Sequence, residues 1–193
     1  MLFVLNTRIF SMPIRFERSQ SEGDLLSVKN LYENSFPSEE RRDHSQLVQL
    51  LSSSSCHINH IYQNDVLAGL ITYWYFSEFV YVEHFAIMPH LRSKGVGKKV
   101  VRKLLSSTTK PVLIEVEPPV NYQEQRRIEF YSNLGFTLLD KAYVQPSYDG
   151  VKPKVELRLM CTLGNLSTIV LDKWIDELMQ GVYFGAVNDG SRT

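Results

Sequence analysis

Residues 80–105 read VYVEHFAIMPHLRSKGVGKKVVRKLL, and the order of parts in this run constrains the fold more than any other feature. Residues 80–88 are apolar on both faces, which predicts a strand in the middle of a sheet. Val96, Val100, Val101, Leu104 and Leu105 then recur at helical spacing. Between strand and helix lies Arg92-x-x-Gly95-x-Gly97, with two glycines where the helix is about to begin. Six cations and no acid fall between Arg92 and Lys103, although the chain carries 21 basic and 21 acidic side chains.

A chain so balanced in charge is not a general binder of nucleic acid or anionic membrane, since those carry a broad basic field. The cations near Arg92 therefore have a local target. At 193 residues and 44% hydrophobic, the chain suits one soluble globular domain with short extensions. Cys56 and Cys161 fit neither a zinc pattern nor a disulfide framework, which agrees with a reducing cytoplasm. The histidines show no ligand spacing, so no metal is expected. The start, MLFVLNTRIF, is too short an apolar run for a signal peptide or a span, and Met12 is an alternative initiator. The expected division is an N-terminal extension over 1–12, one domain over 13–162, and a C-terminal helix with a flexible tail over 163–193.

Residues 14–17 read as a first strand. A helix over 24–34 carries Leu25, Val28, Leu31 and Tyr32 at helical spacing, with Asp24 as its N-cap. Ser38 is expected to cap a second helix that places Glu39 and Glu40 in its first turn. A hairpin over 58–62 and 67–76 turns at Gln63-Asn64-Asp65. Residues 112–117 form a short buried strand stopped by Pro118 and Pro119. Residues 123–134 form a helix ended by Gly135. Residues 136–144 and 155–160 alternate as a long hairpin, and 168–180 form an amphipathic helix that either packs on the domain or builds a homodimer interface. The order predicts a mixed α/β sheet.

Unpaired N–H groups at a helix N-terminus, backed by a partial positive charge, attract anions. Glycines let the backbone approach an anion without a Cβ in the way. A strand, Arg92-x-x-Gly95-x-Gly97 and a helix thus make a pyrophosphate cradle, with Lys94 and Lys98 at its rim. The spacing is neither a P-loop nor the dinucleotide G-x-G-x-x-G. On its own it fits equally well a turn followed by a solvated, lysine-rich helix face.

FAIMPHLRSKGVGKKVV, followed some thirty residues later by RRIEFYSNLGF, resembles the GCN5-related N-acetyltransferases. That resemblance spans residues 14–161. It implies a mixed, mostly antiparallel central sheet flanked by helices, with the C-terminal helix as an extension. It implies acetyl-CoA as cosubstrate, its pyrophosphate on Arg92, Ser93, Lys94, Gly95, Val96, Gly97 and Lys98. Phe85, Ala86 and Ile87 would hold the pantetheine through their main chain, because in the family this strand and the next splay apart. Many relatives carry asparagine and alanine seven and four residues before the tyrosine. Here Glu124 and Arg127 stand there, so Arg127 is assigned instead to a CoA phosphate.

Acetyl transfer from a thioester to an amine needs a deprotonated amine, donors for the oxyanion and an acid for the departing thiolate. Tyr131 stands at the family position for that acid. A phenol with a pKa of about 10 can protonate a thiolate whose acid titrates near 8.5. Glu83 and Glu115 compete as general base. Glu83 is preferred, being on the strand face with Tyr81, Phe85 and Ile87, while Glu115 resembles a base position used by some members. Burial would raise either carboxyl toward neutrality, and an ion pair with Arg126, Arg127 or Arg158 is the structural alternative. His84 should point across the strand, away from Glu83, as packing.

The expected reaction is direct transfer to a primary amine in a ternary complex, with a small-molecule acceptor and no nucleic-acid or membrane partner. The alternative is a catalytically silent CoA-binding module of regulatory or assembly function. The aromatic run Thr72-Tyr73-Trp74-Tyr75-Phe76 packs by default, while Tyr122, Tyr143 and Tyr148 flank the cleft.

Overall fold

A computed structural model describes residues 13–185, so the expected extension over 1–12 and the tail over 188–193 lie outside the described residues. Strands β1 (Ile14–Arg18), β2 (Cys56–Gln63), β3 (Val66–Tyr75) and β4 (Val80–Ile87) form an antiparallel meander. The β2–β3 turn closes at Asn64 and Asp65, with φ of 51° and 60°. Both residue types tolerate the left-handed region that a two-residue hairpin turn requires. Helix α3 (Val96–Ser106) then carries the chain over one face to β5 (Val112–Val116), which joins β4 in parallel.

The last strand, β8 (Val155–Cys161), inserts antiparallel beside β5. Its other edge is shared by β6 (Thr137–Leu138) and β7 (Tyr143–Gln145). These two short pieces replace the single long strand expected over 136–144. At the break, Leu139 N still donates to Leu159 O at 2.9 Å, and Lys141 turns outward to pair with Asp172. A charged Asp140-Lys141 step gains more from solvent and that ion pair than from a ladder position.

Helices α1 (Glu22–Ser35), α2 (His44–Leu50) and α5 (Thr168–Leu178) cover one face, while α3 and α4 (Tyr122–Ser132) cover the other. Leu25, Tyr32, Tyr81, Leu113, Trp174 and Tyr183 share the first core. Val80, Val82, Ile114, Val96 and Val100 share the second. Helix α5 belongs wholly to the first: Trp174 stacks on Phe79 at 4.7 Å and its Nε1 donates to Glu78 at 3.0 Å.

Two helix starts differ from expectation. The cap of α1 is Ser21, whose Oγ accepts from Asp24 N at 3.2 Å. Asp24 sits three residues on, its carboxylate accepting from Gln20 N and Ser21 N in a capping box. Ser38–Glu40 forms only a 3-10 turn, and α2 starts after Asp43, where Gln46 Oε1 accepts from Asp43 N at 2.9 Å. Arg41 between them is extended, with φ −134° and ψ 153°. That stretch of chain carries Arg42 into the core.

Candidate active site

β4 and β5 pair only through residues 80–82 and 112–114. Beyond Val82 and Ile114 the strands part, and the gap opens into a cleft. Its walls are Glu83, His84 and Phe85 of β4, Ile114, Glu115 and Val116 of β5, Arg127 and Tyr131 of α4, and Gln145 of β7. On the α3 and α4 side a groove continues between Phe85, Ile87, Arg92, Ser93, Gly95, Gly97, Lys98, Arg126 and Phe130. Phe85, Arg127 and Tyr131 line the stretch between gap and groove. Glu83, Glu115, Tyr131, Arg127, Phe85, Ile87, Arg92, Ser93, Gly95, Gly97 and Lys98 thus fall along one path, while Ala86 is buried in the first core and Lys94 is not part of these walls.

Gly95 is the N-cap of α3, with φ +76° in the left-handed region, and Ser93 shares that conformation at +61°. The first intrahelical bond of this cap runs from Lys99 N to Gly95 O at 3.3 Å, so the N–H groups of Val96, Gly97 and Lys98 point out of the helix start. A Cβ built at Gly97 would come within 3.5 Å of Phe130 and 3.7 Å of Phe85, filling the groove floor that the glycine leaves clear. Val96 itself is buried and offers the groove only its backbone. Arg92 is tied to the strand: its Nε donates to Ile87 O at 2.9 Å and Nη2 to Ser35 Oγ at 3.3 Å. Arg127 pairs with Glu117 and faces the gap, whereas Arg126 lies along the groove beside Lys98. A cradle of outward N–H groups with cations at its edge fits the diphosphate of a coenzyme.

At Glu83 the β3–β4 register slips, with Tyr73 opposite Val82 but Thr72 opposite His84. The extra residue is a β-bulge, and it resets the alternation of side chains. Tyr81 therefore lies in the first core while Phe85 and Ile87 lie in the second, so the four do not share a face as expected. His84 likewise does not point away from Glu83, since its Nδ1 lies 3.9 Å from Glu83 Oε1. His84 Nε2 meets Glu40 O at 2.9 Å. A carbonyl only accepts, so Nε2 carries the hydrogen and Nδ1 keeps a lone pair, buried without a hydrogen-bond partner. Burial lowers the His84 pKa and keeps the ring neutral.

Glu83 is fully engaged. Arg42 Nε donates to Oε1 at 2.8 Å and Trp74 Nε1 to Oε2 at 2.6 Å, with both members of the ion pair buried. Burial pushes this carboxyl up, but the charge of Arg42 and the hydrogen bonds from Trp74 and Arg42 outweigh it and hold it below its ordinary value. The expectation that burial would bring Glu83 toward neutrality is corrected on that ground, and its partner is Arg42 rather than Arg126, Arg127 or Arg158. Sequence reasoning passed over Arg42. A dibasic step after a proline-bounded turn looks solvated, and nothing local says that one of the two arginines is buried.

Glu115 is the opposite case. Its burial pushes the carboxyl up to about 7, against the hydrogen bonds of Tyr143, Tyr81 and Tyr183, which lower it. Among the described residues no cation is a hydrogen-bond or ion-pair partner of this carboxyl. Tyr131, in the wall across the gap, is pushed up to about 12 by desolvation. Of the aromatic run, Tyr73 and Trp74 are buried, the former stacked on His57 at 5.4 Å. Tyr143 reaches the site through Glu115, and Tyr148 stacks under Arg42 at 4.5 Å. Tyr122 is exposed on α4, beneath Arg126.

The pattern of the acetyltransferase (GNAT) family matches residues 25–136, a span that takes in the gap, the loop and Tyr131. A solved structure from Bacteroides thetaiotaomicron, designated a GNAT-family acetyltransferase, is similar with a TM-score of 0.79 and 38% identity, over 88% of this chain and 98% of that one. YjbC of Bacillus subtilis (strain 168), which carries an acetyltransferase designation, is 29% identical over 104 residues, 52% of either chain; the match spans about half the length of that relative. Arabidopsis thaliana Naa50, solved with the bisubstrate analogue CoA-Ac-MVNAL, shares the fold at a TM-score of 0.55 and 17% identity, over 77% of this chain and 97% of its own. A parted β4–β5 pair, a glycine-entered helix across from it and a match over more than half its length lead to one conclusion: the chain belongs to the acetyltransferase (GNAT) family.

Proposed function

We propose that the protein transfers an acetyl group from acetyl-CoA to a primary amine, directly, in a ternary complex. The observation that carries the reading is the gap itself. It joins two faces of one sheet, with a near-neutral carboxyl on the first face and a phenol on the second. Donor and acceptor can then enter from opposite sides and meet without an acyl-enzyme stage. Naa50 shares this fold and holds an analogue in which both substrates are joined, which supports the same order of events here.

Acetyl-CoA supplies the activated acyl group. The N–H groups of Val96, Gly97 and Lys98 would hold its diphosphate, and the edge of β4 at Phe85, Ala86 and Ile87, freed by the departure of β5, would hold the pantetheine arm. Ile87 O already accepts from Arg92, so the remaining edge groups do this work. Glu115 takes a proton from the acceptor's ammonium, leaving a lone pair on nitrogen. As the C–N bond forms and the C–S bond breaks, Tyr131 gives its phenolic proton to sulfur, the nitrogen releases its second proton to solvent, and Tyr131 and Glu115 return to their starting forms by exchange with solvent. The shift of Tyr131 to about 12 keeps it protonated until then, and the same desolvated cleft raises the thiol's own pKa. The sum is amide, free thiol and one proton released to solvent.

Glu115 replaces Glu83 as the proposed base because a base must be able to accept a proton near working pH. A carboxylate clamped by Arg42 and Trp74 is a weak one. The two buried free thiols fit a reducing, cytoplasmic setting, and a small amine stays the proposed acceptor. A screen of amines with acetyl-CoA, read by released thiol, should find a substrate and give intersecting double-reciprocal lines. Parallel lines would refute the ternary complex, and binding without thiol release across the screen would favour the silent module.

A further inference from the structure

Three hydroxyls surround Glu115, and one comes from far outside the family-matched region. Tyr143 of β7 donates to Oε1. Tyr183, in the π-helical turn Met179–Phe184 that follows α5, lies 3.3 Å from Oε1 and 3.5 Å from Oε2. Tyr81 of β4 lies 3.4 Å from the Tyr183 hydroxyl. The preceding residue serves the other carboxylate, since Val182 O accepts from Arg42 Nη2 at 2.7 Å and so steadies the arginine that holds Glu83. Val182 and Tyr183 are both buried. Gly181 lets the turn lie flat on Phe76, where a Cβ would come within 2.9 Å of Cε1. A segment that needed only to cover apolar surface has no use for a backbone acceptor on a buried arginine and a phenol on a buried carboxyl.

We propose that the C-terminal turn Met179–Phe184 braces the site from behind its wall, and that Tyr183 is a positioning residue which orients Glu115 for proton acceptance. This rests on the reading of Glu115 as the base. The groups facing Glu115 are Tyr81 and Glu83 on β4, Tyr143 on β7, Tyr148 after it, and Tyr183. Among them Tyr183 alone belongs to the C-terminal segment. Its hydroxyl donates to the ionised carboxylate and so favours that form.

Tyr183→Phe keeps the ring against Tyr148, 5.0 Å away, so the fold is retained. With an acceptor from the screen, its pH–rate profile should show the acid limb moved to higher pH by about half a unit, roughly a threefold loss below the limb that is recovered above it. The pH dependence of the melting temperature, which senses the same carboxyl without substrate, should shift likewise. A limb that superposes on wild type, or a loss equal at every pH, would overturn the role of the turn. Glu115→Gln separates the two readings. If it retains wild-type turnover, the base assignment falls and this inference with it; if it loses turnover while the Tyr183→Phe limb stays in place, only the C-terminal role falls.

Discussion

At the scale of single residues, Glu83 and Glu115 differ by what faces them. Both are buried in the walls of one gap, yet one is held ionised by Arg42 and the other is pushed to about 7 among phenols. Opposite consequences follow for the same conservative change. Glu83→Gln strands a buried guanidinium and should destabilise the protein by about 3–5 kcal/mol, read as a lower urea midpoint. Glu115→Gln strands no charge, so the fold should persist while turnover falls by about 10²-fold or more, the usual contribution of a general base. The reverse pattern, an intact fold without activity for Glu83→Gln alone, would return the base role to Glu83. None of this contrast was legible in the sequence. Both acids sit in apolar strands, and the arginine that separates their fates lies forty-one positions before one of them, in a stretch that reads as solvated turn.

Elements were legible wherever a period of two or 3.6 ran unbroken, because the burial that makes a strand or helix also writes that period into the sequence. The strand, loop and helix over 80–105 came through this way, as did α4, although it ends at Ser132 with Asn133 as its C-cap rather than running to 134. Where the period is interrupted by a tertiary event, the reading failed. A single extra residue in β4 turned His84 toward Glu83, and only the partner strand reveals it. An outward ion pair split β6 from β7. The glycines of the loop carry a sharper prediction. Gly97→Ala has room, its methyl at ordinary contact distance from Phe130 and Phe85. It should stabilise the helix by about 0.5–1 kcal/mol, while weakening acetyl-CoA binding about tenfold or more by lifting the diphosphate off the N–H groups. Gly95→Ala, at φ +76°, should instead cost about 1–2 kcal/mol. Calorimetry with the coenzyme alongside thermal melts separates the two, and a Gly97→Ala protein that binds as tightly as wild type would remove the cradle.

For the whole molecule, the two cores meet across a sheet whose β4–β5 seam is interrupted at Glu83 and Glu115, and the carboxyls at that interruption link stability to pH in separate windows. Glu115 is raised from 4.5 to about 7. Between those values the native state keeps a proton that the unfolded chain has lost, so stability from this group falls as pH rises through the window and is flat above it. The full difference of about 2.5 units corresponds to roughly 3 kcal/mol. Glu83 is lowered, so its contribution is present above 4.5 and lost only as pH falls through its native value. His57 and His84, both lowered by burial, destabilise the native state as pH falls below 6.5 and oppose Glu115 there. Raw melting curves therefore mix the terms, but the difference between wild type and Glu115→Gln isolates one of them. That difference should favour wild type progressively as pH is lowered from 8 to 5, and its midpoint should move upward when Tyr183 is changed to Phe. A difference curve flat across that range would mean that Glu115 stays ionised in the folded protein, and a carboxylate ionised throughout has no proton affinity to offer an incoming ammonium.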